Sequence, residues 1–107
     1  MNTFKPCSHI INGKKDNSAE SYFIHHNPST GDELVQVPMA SSSLVDDAVS
    51  AAQAAFEDWA NTPIVKRSQI MYKYKDLLES NFDDLAKLLS LEHGKIVVEA
   101  KGSLRRG

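Results

Sequence analysis

The sequence predicts an α+β fold, with a β-hairpin and short strands over about residues 9–38 followed by three or four α-helices. Turn-forming dipeptides separate short apolar segments before residue 40, whereas apolar residues after it recur with a period near 3.6. The helices are expected over about residues 44–60, 63–80, 82–93 and 96–106. The sequence has no repeat or linker, and its 107 residues amount to one domain or part of one.

The N-terminal third predicts strands joined by tight turns. Asn12-Gly13 favours a two-residue hairpin loop, because both positions tolerate a positive φ. The segment SYFIHH, residues 21–26, has the aromatic and β-branched composition of a strand. Residues 27–33, NPSTGDE, form a turn, and the next strand, LVQVP, should stop at Pro38, which has no N–H to donate.

Capping residues place the starts of the first two helices. Ser43 is a candidate N-cap, with Asp46 three residues later. Thr62 is expected at the N-cap of the second helix, with Pro63 at its first helical position. The predicted apolar faces of these helices are Val45, Ala48, Val49, Ala52, Ala55, Phe56 and Trp59, then Ile70, Met71, Tyr74, Leu77 and Leu78.

The apolar register continues beyond the second helix, through Phe82, Leu85, Leu88 and Leu89. One long helix is therefore possible, but a break near Ser80-Asn81 is favoured, with Asn81 as a cap. Asp83 and Lys87 form a favourable i,i+4 pair. Gly94 is expected in the left-handed conformation at the helix end.

Charge and composition exclude several classes of partner. The formal net charge of −2 would not draw a nucleic acid or an anionic membrane. The apolar runs are far too short for a membrane span, and the N-terminus has no secretory h-region. The single cysteine cannot form an internal disulfide, so a reducing compartment and a cytoplasmic location are expected.

A self-contained active site is not evident. The five glycines form neither a G-x-G-x-x-G turn nor a phosphate-binding loop, so no cofactor is expected to bind this chain by these devices. Cys7 lacks an evident fixed base or helix N-terminus, and is interpreted as a bystander. His25 and His26 are adjacent on a strand and should point to opposite faces, so no metal site is predicted.

Arg105 and Arg106 leave two interpretations open. Basic residues complement the negative end of a helix, and that accounts for both arginines. An arginine can also hold a carboxylate through two parallel N–H bonds, which would make one of them a ligand-binding residue.

The ordered succession INGK, NPSTGDELVQVPMAS, VDDAVSAAQAAFEDWANTP and RSQIMYKYKDLLESNFDDLAKLLSLEHGK resembles the N-terminal segment of the aldehyde dehydrogenase superfamily. The segments YKYKDLLE and EAKGSLRRG are most similar to methylmalonate-semialdehyde dehydrogenase. The resemblance implies part of an α/β dehydrogenase fold, use of NAD and coenzyme A, a small aldehyde substrate and a homo-oligomeric assembly. It also implies that the catalytic cysteine, the general-base glutamate and the NAD site lie in sequence outside this chain.

Within this branch, the resemblance implies that Arg106 helps to hold the substrate carboxylate. The family pattern has an acidic residue where Ser103 stands and often an apolar one where Arg105 stands, so the local sequence departs from it. We therefore expect an N-terminal fragment that is inactive alone and prone to self-association. The alternative is a non-catalytic helical module that associates with a full-length dehydrogenase or with itself.

Overall fold

The computed structural model describes residues 7–107 and has the predicted α+β architecture. Four strands precede four helices, and each helix lies within two residues of its predicted bounds. The elements are β1 (His9–Ile11), β2 (Lys14–Asp16), β3 (Ser21–His26), β4 (Glu33–Met39), α1 (Ser42–Asn61), α2 (Ile64–Ser80), α3 (Phe82–His93) and α4 (Val97–Arg106). The described residues fall into two compact units, the first comprising 7–25 and 33–61 and the second 26–32 and 62–107.

The first unit opens with the predicted hairpin. Strands β1 and β2 are antiparallel, and Ile11 pairs with Lys14. Asn12 and Gly13 occupy the loop with φ values of 51° and 73°, which is the positive-φ pair that such a loop requires. The Asn-Gly prediction is therefore confirmed.

Strand β4 pairs with β3 and ends at Met39, one residue beyond Pro38, where the sequence predicted it to stop. The Met39 carbonyl still accepts a hydrogen bond from the Glu20 N–H at 3.0 Å. Proline is tolerated in a strand where its nitrogen faces away from the neighbouring strand. Pro38 is buried, so this end of β4 is held by packing.

Helix α1 begins at a different cap from the predicted one. The Ser41 hydroxyl accepts the Leu44 N–H at 3.1 Å, and the Ser41 carbonyl accepts the first helical bond from Val45. Ser41 is therefore the N-cap, and the prediction of Ser43 was wrong. Both serines suit a cap, and the register of the first backbone hydrogen bond decides between them.

Two caps in the second unit also differ from expectation. Helix α2 begins after Pro63, whose carbonyl accepts the Arg67 N–H, so Pro63 rather than Thr62 is the N-cap. The break at Asn81 is confirmed. The Asn81 amide donates back to the Leu77 carbonyl at 2.8 Å, so its side chain finishes α2 instead of capping α3.

Helices α3 and α4 pack closely because both present alanine at the contact. Ala86 of α3 and Ala100 of α4 are fully buried. Gly94 ends α3 in the left-handed conformation with φ of 76°, as predicted. A Cβ at Gly94 would lie 2.9 Å from the Pro28 Cγ, so glycine is required there by packing as well as by backbone conformation.

The predicted pair of Asp83 and Lys87 is not a direct ion pair, although the charge of Lys87 contributes to lowering the pKa of Asp83. Asp83 Oδ1 instead lies 2.6 Å from the Lys101 Nζ on α4, and Lys87 lies 3.9 Å from Asp84. The Lys101 hydrogen bond and charge lower the pKa of Asp83 below 3.8. The ion pair thus joins two helices instead of stabilising one.

The predicted apolar faces of α1 and α2 are largely exposed within this chain. Val49 and Phe56 on α1 are 60% and 65% exposed, and Met71 and Leu77 on α2 are 57% and 63% exposed. Residues this apolar on contiguous helical faces are typical of a surface that another chain or segment covers. None of the helices within residues 7–107 is both long and apolar enough to span a membrane.

Candidate functional site

Cys7 is exposed and precedes β1. The neighbouring His9 is engaged elsewhere, because its Nε2 hydrogen-bonds to the Ser18 carbonyl at 3.1 Å. A nucleophilic cysteine needs a base or a helix N-terminus aimed at its sulfur. Among residues 7–107, no base or helix N-terminus is recorded in contact with the Cys7 sulfur, and its interpretation as a bystander stays a prediction.

The histidine pair lies on β3, where consecutive side chains point to opposite faces. His25 is half-buried and His26 is exposed. Across residues 7–107, no three His, Cys, Asp or Glu side chains converge in a way that could hold a metal ion.

The two arginines at the end of α4 make different contacts. The Arg105 guanidinium lies 5.5 Å from the centre of the Phe82 ring, a cation–π distance. Arg105 also lines a groove of about 570 Å³ in the second unit, together with Tyr74, Leu85 and Leu104. Arg105 was predicted only as a charge at the helix end, and the structure adds an aromatic contact with α3.

Arg106 lies on another side of α4. Its guanidinium donates to the Ser103 hydroxyl at 3.2 Å, one helical turn earlier. The side chain is otherwise exposed, so its remaining N–H groups are open to a ligand.

Ser103 also accepts a hydrogen bond from Lys95. The Lys95 Nζ lies 3.2 Å from the same oxygen, and the Ser90 hydroxyl donates to the Lys95 carbonyl at 2.6 Å. Sequence reasoning did not predict the hydrogen bond between Lys95 and Ser103. The i,i+3 spacing of Ser103 and Arg106 was a usable signal, whereas the approach of Lys95 depends on the turn between α3 and α4.

Gly94 and Gly102 do not form a pyrophosphate-binding turn. Gly94 ends α3 and packs against Pro28. Gly102 lies inside α4, with the Arg106 guanidinium beside it. Neither glycine stands between a strand and a helix N-terminus, which is where a dinucleotide pyrophosphate is held.

The strand-then-helix fold matches that of a known class of oxidoreductase. The aldehyde dehydrogenase family matches residues 14–107, and the chain belongs to that family. The predicted family resemblance is therefore confirmed.

Two relatives show which members of the family this chain is similar to. The chain is 45% identical over 101 residues to the malonate-semialdehyde dehydrogenase of Pseudomonas aeruginosa, covering 92% of this chain and 20% of that protein. The methylmalonate-semialdehyde dehydrogenase of Oceanimonas doudoroffii has 40% identity and a TM-score of 0.89, over 99% of this chain and 21% of that one.

A third protein, from Sinorhizobium meliloti 1021, is assigned as a methylmalonate-semialdehyde dehydrogenase and was solved in complex with NAD. It has 34% identity and a TM-score of 0.87, over 95% of this chain and 21% of that one. The present chain thus spans about a fifth of the length of the relatives that it matches.

Proposed function

We propose that this chain supplies the N-terminal part of an NAD-dependent, coenzyme A-acylating aldehyde dehydrogenase acting on malonate or methylmalonate semialdehyde. The supporting observation is the 40% identity and TM-score of 0.89 to a methylmalonate-semialdehyde dehydrogenase over 99% of the chain. The 45% identity to a malonate-semialdehyde dehydrogenase points to the same substrate class.

The chain alone is proposed to be inactive. Within residues 7–107 its exposed cysteine has no activating contact, and the described glycines do not form a pyrophosphate turn. Its contribution is instead structural: the exposed apolar faces of α1 and α2 bury against the rest of the enzyme. Burial on association would stabilise both parts.

Arg106 is proposed to contact the carboxylate of the substrate. It is exposed at the end of α4, and its hydrogen bond to Ser103 leaves other N–H groups of the guanidinium able to form two parallel bonds with a carboxylate. A semialdehyde acid differs from a simple aldehyde by this group. Arg106 would therefore affect substrate choice rather than the chemical step.

The proposal is tested by complementation. A variant of the Pseudomonas aeruginosa enzyme that lacks the matched fifth of its length is mixed with this chain. NADH formation is then followed with malonate semialdehyde and coenzyme A. Each part alone should be inactive and the mixture active. Turnover by this chain alone, or a complex that purifies as one species without activity, would contradict the proposal.

The same assay tests Arg106. Arg106→Ala in the active mixture should raise KM for malonate semialdehyde about tenfold or more, because a charged hydrogen-bonding partner is lost. KM for propanal, which has no carboxylate, should not change. An equal rise for both aldehydes would assign Arg106 a structural role.

A second candidate function is a non-catalytic helical module that associates with a full-length dehydrogenase or with itself. The exposed Val49, Phe56 and Leu77 would serve such a module as well as a fragment, because a partner of either kind would cover these faces. Analytical ultracentrifugation and thermal melting distinguish the two. A monodisperse species that melts cooperatively favours the module, whereas heterogeneous self-association favours part of a larger enzyme.

A further inference from the structure

The loop of the N-terminal hairpin places an asparagine side chain directly before a glycine. Asn12 and Gly13 join β1 to β2, and both are exposed to solvent. Nothing lies within 4 Å of the position that a Cβ of Gly13 would occupy, so its backbone nitrogen is sterically open. A bond from that nitrogen to the carboxamide carbon of Asn12 would close an unstrained five-membered ring.

Both groups that would react in this loop are unengaged. Within residues 7–107, neither the side-chain amide of Asn12 nor the N–H of Gly13 takes part in a hydrogen bond. A group that is held by a hydrogen bond in the fold has to break it before it can react. Asn12 and Gly13 do not meet that barrier.

Asn17 is the closest comparison in the same hairpin region. It is also exposed and also precedes a small residue, Ser18. The Ser18 N–H, however, donates to the Asp16 carboxylate at 2.7 Å. The nitrogen that would have to attack the Asn17 side chain is therefore held, whereas the corresponding nitrogen at Gly13 is not.

The remaining asparagines of the described chain are protected in other ways. Asn27 precedes Pro28, whose ring nitrogen carries no proton to lose. The side-chain amides of Asn61 and Asn81 each donate to a backbone carbonyl one helical turn earlier, at 2.8 Å. The Asn12-Gly13 loop thus differs from every other described asparagine.

The hairpin around this loop is short enough to open locally. Strands β1 and β2 have three residues each, and Ile11 with Lys14 is the pair next to the loop. A two-stranded hairpin of this size is marginally stable by itself. Opening releases Asn12 from its φ of 51°, so that its side chain can reach the Gly13 nitrogen.

We propose that Asn12-Gly13 is a self-modifying site, at which the Gly13 backbone nitrogen displaces the side-chain nitrogen of Asn12. The Gly13 nitrogen loses its proton and bonds to the Asn12 Cγ, the bond from Cγ to Nδ2 breaks, and ammonia leaves with that proton. Water then opens the ring. Breaking the new bond leaves aspartate, whereas breaking the original peptide bond leaves isoaspartate, whose main chain runs through Cβ and Cγ. One water is consumed and one ammonia is released, with no oxidation or reduction.

The isoaspartyl product would weaken the first unit, because it adds an atom to the main chain of a two-residue loop. Such a loop fixes the pairing of Ile11 with Lys14, and an added atom breaks that register. Ile11 lines a groove together with Leu44, which is a buried side chain of α1. Loss of the register therefore loosens β1 and exposes Leu44. This slow change is independent of the proposed enzymatic role, since it needs only the loop and water.

The test is to age the 107-residue chain in mildly alkaline buffer and to follow its tryptic peptides by mass spectrometry. Trypsin cleaves after Lys14 and Lys15, so Asn12 and Asn17 fall in different peptides. The Asn12 peptide should change from amide to acid several times faster than the Asn17 peptide. An isoaspartyl methyltransferase with labelled S-adenosylmethionine should then label the Asn12 peptide. Modification of Asn12 that is absent, or no faster than that of Asn17, overturns the proposal.

Two variants test the cause of the difference in rate. Gly13→Ala places a Cβ beside the attacking nitrogen and should slow the reaction several-fold, both in buffer and in urea, where differences in folding no longer contribute. Asp16→Ala frees the Ser18 N–H and should raise the rate at Asn17 toward that at Asn12. An unchanged rate for Gly13→Ala in urea, or for Asn17 in Asp16→Ala, contradicts the mechanism.

Asn12→Gly is the matched control for the effect on stability. Glycine accepts the positive φ of this position and has no side-chain amide to lose. After the same ageing, the unaltered chain should unfold at a lower urea concentration than before, and Asn12→Gly should keep its midpoint. An equal fall in both chains would show that the loss of stability has another source.

Discussion

Replacing Gly94 with alanine should destabilise the second unit through two separable causes. The φ of 76° places an L-residue in the left-handed region, at a cost of about 1–2 kcal/mol. The new Cβ would also lie 2.9 Å from the Pro28 Cγ, which belongs to a ring and cannot rotate away. Overpacking of this kind costs about 1–3 kcal/mol. The free energy of unfolding should therefore fall by about 2–5 kcal/mol.

Gly31 provides the matched control. It belongs to the same unit and has φ of 82°, but a Cβ there would meet nothing within 4 Å. Gly31→Ala should therefore cost only the backbone contribution, about 1–2 kcal/mol. Urea unfolding followed by circular dichroism measures the loss of stability in both variants. If a variant is already unfolded in buffer, amide hydrogen exchange in α3 shows that loss of structure.

A double-mutant cycle isolates the steric contribution. Pro28→Ala removes the Cγ and keeps the Cβ, which lies at an ordinary 3.5 Å. In the Gly94→Ala background it should restore about 1–3 kcal/mol relative to its effect in the unaltered chain. Equal losses for Gly94→Ala and Gly31→Ala, with no coupling to Pro28, would refute the packing argument.

Three further substitutions test the remaining contacts by urea unfolding. Asp83→Asn should lower the unfolding midpoint near neutral pH and should match the unaltered chain in acid. The reason is that Lys101 lowers the pKa of Asp83 in the folded state. The ion pair therefore stabilises the fold above pH 3.8, and this stabilisation is lost as the pH falls through the folded-state pKa of Asp83. Ala86→Leu should cost about 1–3 kcal/mol, because Ala86 is fully buried. Ser41→Ala should cost about 1 kcal/mol through loss of the Leu44 N–H bond, whereas the exposed Ser43→Ala should change stability by less than about 0.5 kcal/mol.

The groove beside Arg105 illustrates how the candidate site depended on helix packing. Arg105 and Arg106 are adjacent and chemically identical, and the sequence left both interpretations open. Successive residues on a helix point about 100° apart, so one arginine reaches Phe82 on α3 and the other reaches Ser103 on its own helix. The crossing of α3 and α4 decides which arginine faces the groove.

The sequence by itself determined the elements whose causes are local. Asn12-Gly13 requires a positive-φ loop, Gly94 permits the left-handed helix end, and the change of apolar period from two to 3.6 separates strands from helices. These features depend on the φ and ψ of a few neighbouring residues. Composition alone misplaced the caps at Ser43 and Thr62, because several adjacent residues are chemically suited to capping.

Only the tertiary structure decided the partners of the charged side chains. Asp83 had a favourable local partner in Lys87 and instead pairs with Lys101, because the fully buried Ala86 and Ala100 let α3 and α4 approach closely. The meeting of Lys95 and Arg106 on Ser103 has the same origin, since the chain reverses at Gly94 before α4 begins. Contacts between residues far apart in sequence depend on how helices cross, and no periodicity within one helix encodes that crossing.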